Sequence, residues 1–250
     1  MKISIITVCL NSEKTIEKTI LSVLNQTYKQ IEYIIIDGGS TDNTLKIINK
    51  YKKRISIIKS EKDRGIYYGM NKGIRLAKGH VISFLNSDDF YANKFVIEKI
   101  ARTFKDKNCE GIYGDLMFIG KDYQSIEPLR SWHPGNFSLK KVLLGWQVPH
   151  PTFFVKRTYY KKFGDFDTNF KIASDSDLMT RFFLKAGLHP TYIPETLVYM
   201  RRGGSSTQLR NKIRMWMDVY RIFKKNNMKN PLVLLLTRYR IFKKSLRKIK

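Results

Sequence analysis

Cysteine is almost missing from this 250-residue chain: only Cys9 and Cys109 occur. Both sit in apolar, strand-like runs without C-x-x-C spacing, so two buried reduced thiols are expected and a disulfide framework is not. With four histidines and no Cys/His set at ligand spacing, zinc is excluded. No GxxxxGK[ST] loop occurs, which excludes a P-loop NTPase, and no GxGxxG fingerprint of dinucleotide binding is present. Long apolar runs are missing too. The longest charge-free stretch, Val142 to Val155, is 14 residues interrupted by Gln147, Pro149, His150 and Pro151. It is too short and too polar to span a bilayer, so an integral membrane protein is not expected. The opening MKISIITVCLN is too short for a cleavable signal and offers no small-residue cleavage site. Repeats and low-complexity linkers are absent as well. Finally, acids are scarce: 21 against 47 bases, a formal net charge of +26. From Arg210 to Lys250 there are 14 Lys/Arg and one acid, Asp218, which predicts an anionic partner near that tail.

What is present is a globular composition, 42% apolar and 13% aromatic, long enough for one domain and an appendage. The first ~120 residues alternate in period. ISIITVC (3–9) reads as a strand buried on both faces, and residues 12–26 as a helix with Ser12 as N-cap. Residues 33–36 are a second strand, followed by a helix at TLKIINKY. RISIIK (54–59) is a third strand, 66–79 a helix closed by Gly79 at its C′ position, and HVISFL (80–85) a fourth strand. Strands alternating with helices predict an α/β fold with a mainly parallel sheet, whose ligands bind beyond the carboxyl ends of the strands. Residues 120–150, with Pro128 and Pro134, read as loops across that site.

The polar clusters fall at those strand ends: CLNSE, DGGSTD, EKDRG and NSDD. They gather Asn11, Glu13, Asp37, Asp42, Arg64, Asp88 and Asp89 on one rim. Turn formation and helix-dipole pairing explain any one cluster, but not four on one edge. Asp88 and Asp89 suit Mg²⁺ or Mn²⁺, hard cations that share carboxylates with phosphate. The glycines after Asp37 let backbone approach a ligand, and Asp37 can accept from a ring N–H. SDSDLMTRFFL begins a helix, with Ser174 as N-cap, Asp175 at N1 and Asp177 at N3 as a capping box. The tail mixes bases with Ile213, Trp216, Met217, Tyr220 and Phe223, a basic amphipathic helix with PLVLLLTRYRIF as a second. Such segments bind anionic lipid, pack on a core, or bind nucleic acid.

SIITVCLNSEKTIEKTILSVLNQTY, EYIIIDGGSTDNT, DRGIYYGMNKGIRLAKGHVISFLNSDDFY, VPHPTFFVKR and FDTNFKIASDSDLMTRF together resemble the family 2 glycosyltransferases, in particular the bacterial colanic-acid, capsule and O-antigen subgroup. The resemblance implies a GT-A fold, a three-layer α/β/α sandwich over residues 1–207, with a basic helical tail at 208–250. It implies inverting transfer of a sugar from a nucleotide-diphosphate donor, UDP by family habit, to a hydroxyl of a lipid-linked glycan acceptor. Thr7, Asn11 and Glu13 resemble nucleotide-lining positions, Asp37 the acid on the base edge, and Arg64 and Asn71 further nucleotide contacts. NSDD resembles the D-x-D metal motif with Asn86 in place of its first acid, leaving Asp88 and then Asp89 as ligands. Asp175 aligns with the catalytic base, with Ser174 where the family has Glu. Arg201 and Arg202 of RRGGSST can close on a diphosphate, and His150 lies where an acceptor-side His is common. Trp146 is either an acceptor platform or core. The expected place of action is the cytoplasmic face of the membrane, with no nucleic acid. Two alternatives stay open, a sugar-phosphate nucleotidyltransferase and a basic nucleic-acid-binding protein. CLNSE in place of a GxGxR loop argues against the first, and the concentration of charge in the tail against the second.

Overall fold

The structure is a computed structural model. It describes all residues except 121–125, 203–208, 227, 229–235, 237–238, 241–242, 244–245 and 249–250. Four parallel strands form one half of the sheet: β1 (Ile3–Cys9), β2 (Ile31–Asp37), β3 (Ile57–Ser60) and β4 (Val81–Phe84). β1 lies between β4 and β2, with β3 outside β2. All are β-branched and aromatic runs, and β1, β2 and β4 are almost wholly buried, as strands covered on both faces must be. The helices supply that cover. On one face, α1 (Ile16–Leu24), α2 (Thr44–Lys50) and α4 (Val96–Lys107) enclose a core of Ile3, Ile5, Tyr33 and Ile35. On the other, α3 (Ile66–Leu76), α6 (Arg157–Phe163) and α7 (Ser174–Leu184) enclose Ile6, Ile34, Ile36 and Phe84.

The second half of the sheet departs from the sequence reading. β5 (Phe90–Tyr91), β6 (Gly111–Ile119), β7 (Pro128–Trp132), β8 (Phe154–Lys156), β9 (Thr191–Arg201) and β10 (Leu246–Lys248) pair mostly antiparallel. Only β6 and β9 run parallel there. The sheet is therefore mixed, ten strands in all. Part of the stretch expected to be loop, 120–150, is β7 and the short helix α5 (Leu139–Leu143). Its prolines mislead because Pro128 opens the strand at a bulge, where no ladder N–H is needed.

Local signals also shift. Ser12 does not cap α1 with its side chain; its Oγ shares a hydrogen bond with Ser87 Oγ at 2.9 Å, while its carbonyl accepts from Ile16 N. Ser174 lies inside α7, Ala173 is the N-cap, and no side-chain cap forms. Gly79 is not the C′ residue of α3, which ends at Leu76. Its role is close approach: an added Cβ would meet Ser4 N at 2.6 Å, and its N–H donates to Ser4 Oγ at 2.9 Å.

α8 (Leu209–Lys225) begins the basic stretch and lies on the body of the protein. It buries Val219, Ile222 and Phe223 with Phe170 and Ala173. Met217, Tyr220 and Arg221 lie on the opposite, exposed face. The expected apolar stripe is thus split, with Phe223 inward and Met217 and Tyr220 outward. The side chain of Ile213 and most of the expected second helix lie outside the described residues. Further on, β10 pairs with β7.

Gly79→Ala is expected to destabilise the fold by about 1–3 kcal/mol, because besides the Ser4 hydroxyl the new methyl would meet rigid backbone at Ser4 N and Lys2 O, which cannot turn away. Urea unfolding measures this; an unchanged midpoint would contradict the close-approach account.

Candidate active site

The strand order reverses at β1, which has β2 on one side and β4 on the other. Beyond the carboxyl ends at that point lies a cleft of about 810 Å³. Its walls come from four strand ends and the end of β9: Asn11 and Glu13 after β1, Gly38 after β2, Asp63 and Gly65 after β3, Ser87 and Asp88 after β4, and Arg201 and Arg202. Four parallel strands therefore deliver the polar clusters to one rim, as the sheet rule requires.

Asn11 adopts a left-handed conformation (φ 49°), and its Oδ1 accepts from Thr41 N at 2.9 Å. Glu13 Oε2 accepts from Asn43 N at 3.1 Å and Asn43 Nδ2 at 2.9 Å. Asp42, also on the cleft, accepts from Glu13 N and Thr44 N. The loops after β1 and β2 are thus cross-tied around the opening. Arg64 is exposed in the turn between Asp63 and Gly65.

Asp37 is placed differently from the expected base contact. It is fully buried and does not line the cleft. Its Oδ2 accepts from Gly39 N, Ser40 N and Ser60 Oγ at 3.1, 3.1 and 2.7 Å. Ser40 Oγ donates to Oδ1 at 2.5 Å. Burial opposes ionisation here, but the donors from Ser40, Ser60 and Gly39 win and hold the carboxyl below its usual range. The adjacent Cys9 thiol is pushed up, first by burial and then by Asp37, so it is not a nucleophile. Cys9 and Cys109 are both free.

Thr7, Asn71, Asp89 and Trp146 also differ from expectation. Thr7 is fully buried, with its Oγ1 3.2 Å from Tyr33 Oη. Asn71 spends both ends of its amide on the Phe166 backbone, at 2.9 and 3.0 Å. Asp89 turns inward, accepting from Asn86 Nδ2 at 3.0 Å and Arg201 N at 3.2 Å. Trp146 is core, its Nε1 donating to Pro134 O at 3.1 Å between Tyr113 and Phe137. Along β1 and the turn after β4 alternate side chains go to opposite sides, which turns Thr7 and Asp89 inward; Asn71 on α3 and Trp146 after α5 are instead claimed by the Phe166 and Pro134 backbone.

Asp88 remains on the cleft beside Arg201. Burial raises its carboxyl, and Arg201 acts in the other direction. Asp89 is pushed up further, by burial and then by Asp88. Among the described residues no group of three or more His, Cys, Asp or Glu side chains converges. A single carboxylate still suits Mg²⁺ or Mn²⁺, which take one or two protein carboxylates and complete their shell with substrate phosphate and water.

The sequence reading passed over Asp63. Its Oδ1 pairs with Lys72 Nζ at 2.5 Å, which also holds Glu61 at 2.6 Å. Its Oδ2 is buried without a hydrogen-bond partner. The EKDRG cluster flagged the turn, but attention went to the arginine.

At the start of α3, Tyr67 follows the cleft residue Ile66 and reaches the first turn of α7. Its Oη donates to Ile172 O at 2.6 Å and lies 3.5 Å from Asp175 Oδ1. His150 stacks on Phe84 at 5.6 Å and meets Phe166 edge-on. Burial lowers its pKa against the opposing pull of Asp175. Asp175 is half-buried, while Asp177 is fully buried and paired with Arg181 Nε at 2.8 Å and Lys225 Nζ at 3.1 Å. Of the two acids, only Asp175 is accessible. The structure thus brings Asp175 and His150 together next to the cleft that holds Asp88, Arg201 and Arg202; residues 203–207 of RRGGSST lie outside the described residues.

A mixed α/β sheet with a polar cleft beyond its strand ends is the usual setting of a ligand site, and the sequence comparisons supply the class. The profile of Glycosyl transferase family 2 matches residues 4–163, and the chain belongs to that family. A protein of Mycobacterium tuberculosis named "Uncharacterized glycosyltransferase" is 33% identical over 182 residues, covering 72% of this chain and 68% of the relative. The Escherichia coli "UDP-Glc:alpha-D-GlcNAc-diphosphoundecaprenol beta-1,3-glucosyltransferase WfaP" is 43% identical over 124 residues, 48% of each chain. Among solved structures, Staphylococcus aureus TarS 1–349 in complex with UDP-GlcNAc superposes with a TM-score of 0.69 at 18% identity, covering 96% of this chain and 71% of that one. Mannosyltransferase PcManGT from Pyrobaculum calidifontis, in complex with GDP-Man and Mn²⁺, gives 0.67 at 16% identity, covering 95% and 69%. Both establish the GT-A fold.

The buried Asp37 carboxylate generates a pH prediction. Its folded-state pKa is depressed, so its contribution is present above the unfolded value of about 3.9 and is lost as pH falls through the lower folded one. The stability gap between wild type and Asp37→Asn is expected to be constant from pH 7 to about 5 and to close below about 4. Denaturant melts across that range measure it; a pH-independent gap would show that Asp37 is not the anchor described.

Proposed function

We propose that the enzyme transfers a sugar from a nucleotide diphosphate, UDP before GDP or dTDP, to a hydroxyl of a lipid-linked glycan acceptor with inversion at the anomeric carbon. One observation carries the reading: Asp175 is the accessible carboxylate at the start of α7, beside the aromatic surface of Phe84, His150 and Phe166 and next to the cleft. The names of WfaP and of the TarS complex support a UDP-sugar, and WfaP's a diphosphoundecaprenol-linked acceptor; a role in bacterial surface polysaccharide synthesis goes with such an acceptor.

In this mechanism the donor diphosphate lies by Arg201, Arg202 and Asp88, with the base against Gly38 and Asp63. Asp63, which lines the cleft where Asp37 does not, is suited to accept from a base N–H. Asn11 and Glu13 shape the loops around the nucleoside. Asp175 takes the acceptor hydroxyl proton as the oxygen forms its bond to C1, and the C1–O bond to the diphosphate breaks with its electron pair leaving on the nucleotide. A Mg²⁺ or Mn²⁺ held by Asp88 would supply neutralisation of that departing charge. Arg201 and Arg202 contribute the same from the protein. The aromatic surface around His150 receives the acceptor.

Asp175→Asn is expected to lower transfer about 10²–10⁴-fold while UDP affinity stays within a few-fold, because the base touches only the acceptor. Hydrolysis of UDP-glucose, UDP-GlcNAc, UDP-galactose and GDP-mannose, with Mg²⁺, Mn²⁺ or EDTA, selects the donor and tests the metal. Normal turnover in Asp175→Asn, or no hydrolysis of any nucleotide sugar, would sink the reading.

We also propose that the basic stretch attaches the enzyme to an anionic membrane surface; among the described residues no helix is long and apolar enough to cross one. The outward face of α8, with Arg214, Met217, Tyr220 and Arg221, has the required mixture. Each Lys/Arg near such a surface contributes about 1 kcal/mol. Because α8 shares a core with α7, truncation is the wrong test. Replacing Arg214, Arg221 and Lys224 with Gln is expected to reduce sedimentation with phosphatidylserine vesicles, with high salt releasing the wild type similarly. Equal sedimentation of both proteins would argue for a purely structural helix.

A further inference from the structure

Between α6 and α7, residues 164–173 form neither helix nor strand, yet they set where α7 begins and so where Asp175 points. Arg181 of α7 holds the start of this loop at the Gly164 and Asp165 carbonyls, and α3 and α8 grip the rest. α3 holds it through Asn71 on the Phe166 backbone and Tyr67 on Ile172 O. α8 holds it through Asp218, whose Oδ2 accepts from Ile172 N at 3.1 Å, and through Lys225, whose Nζ reaches Asp167 at 2.9 Å and Asp177 at 3.1 Å. The same ammonium lies 5.3 Å from the centroid of the Phe170 ring. Both backbone polar groups of Ile172, three residues before Asp175, are therefore fixed by side chains from distant parts of the chain.

We infer that Asp218 and Lys225 are positioning residues for Asp175, so that the C-terminal helix takes part in catalysis through the loop it grips. Asp218 is the single acid among the 14 bases from Arg210 onward, and it is buried at 4% exposure. Its salt-bridge neighbour Arg221 is exposed and 3.9 Å away, a weak pairing, so the Ile172 N–H is its principal partner. A buried carboxylate in such a place is costly unless it accepts hydrogen bonds, and this one accepts from the loop backbone. Lys225 spans the loop from its start, Asp167, to the first turn of α7, Asp177. Displacing a reacting group by about 1 Å costs on the order of 10²-fold in rate. The inference rests on the proposed role of Asp175 as base.

The test uses the full chain with Asp218→Ala, Asp218→Asn, Lys225→Met, Asp175→Asn and the double variant Asp175→Asn/Asp218→Ala. UDP affinity is measured by calorimetry, and kcat and KM from hydrolysis of whichever UDP-sugar in the panel above turns over fastest. Asp218→Ala and Lys225→Met are expected to lower kcat about 10–100-fold with UDP affinity and donor KM within about two-fold. Asp218→Asn keeps an oxygen for the Ile172 N–H and is expected to stay within a few-fold of wild type. In the Asp175→Asn background, Asp218→Ala is expected to add no loss, since no base remains to be misplaced. An unchanged kcat in both Asp218→Ala and Lys225→Met would overturn the inference. So would an equal loss in the Asp175→Asn background, or UDP affinity falling in step with kcat. Should Asp218→Ala not fold, Lys225→Met decides by the same criteria. A fully active Asp175→Asn single variant would remove the base assignment itself, which the other variants cannot imitate.

Discussion

The cleft depends on one buried carboxylate. Asp37 ends β2, and the groups that donate to it belong to its own loop, Gly39 and Ser40, and to the end of β3, Ser60. Cys9, the last residue of β1, places its thiol 3.7 Å away. Three neighbouring strand ends are thus drawn to one point. A buried anion would be expensive in an apolar core, so it is tolerated only where several donors converge. That convergence fixes the loop of Gly38 to Asp42, which in turn is tied to Asn11 and Glu13. The rim of the cleft is therefore built on a group that does not itself line the cleft.

Much of this was legible in the residues. The β-branched runs at 3–9, 31–37 and 81–84, separated by helical periods, dictate a parallel half-sheet, and the sheet rule then gathers the polar clusters at one edge. The charge and cysteine counts likewise excluded whole classes of protein. What could not be read was which polar residue at each strand end faces outward. Asp88 and Asp89, and Asp175 and Asp177, are near neighbours whose side chains diverge. One step of backbone twist decides whether a carboxylate meets ligand or lysine. Asp63 was hidden for the same reason, and Asn71 because its partner Phe166 lies 95 positions away. The antiparallel half of the sheet was illegible too, since short strands such as β5 and β8 are specified by their partners and not by their own periodicity.

The charge distribution follows from the same arrangement. The cleft carries acids, Glu13, Asp42, Asp63 and Asp88, against Arg201, Arg202 and Lys14. A donor with a diphosphate would find that mixture nearly balanced locally, so the +26 excess acts from elsewhere, as a field that draws anions toward the molecule before contact. Half of it lies in the stretch that starts at α8. There the bases have two employments at once. Lys225 faces inward and neutralises Asp167 and Asp177, whereas Arg221 and Arg214 face solvent. A helix with one face in the catalytic domain and one face cationic connects whatever anionic surface it meets to the loop before Asp175. The inward face is held by the polar contacts of Asp218 and Lys225 and by a small apolar cluster around Phe170, apart from the two main cores, so its hold is on that loop and on α7.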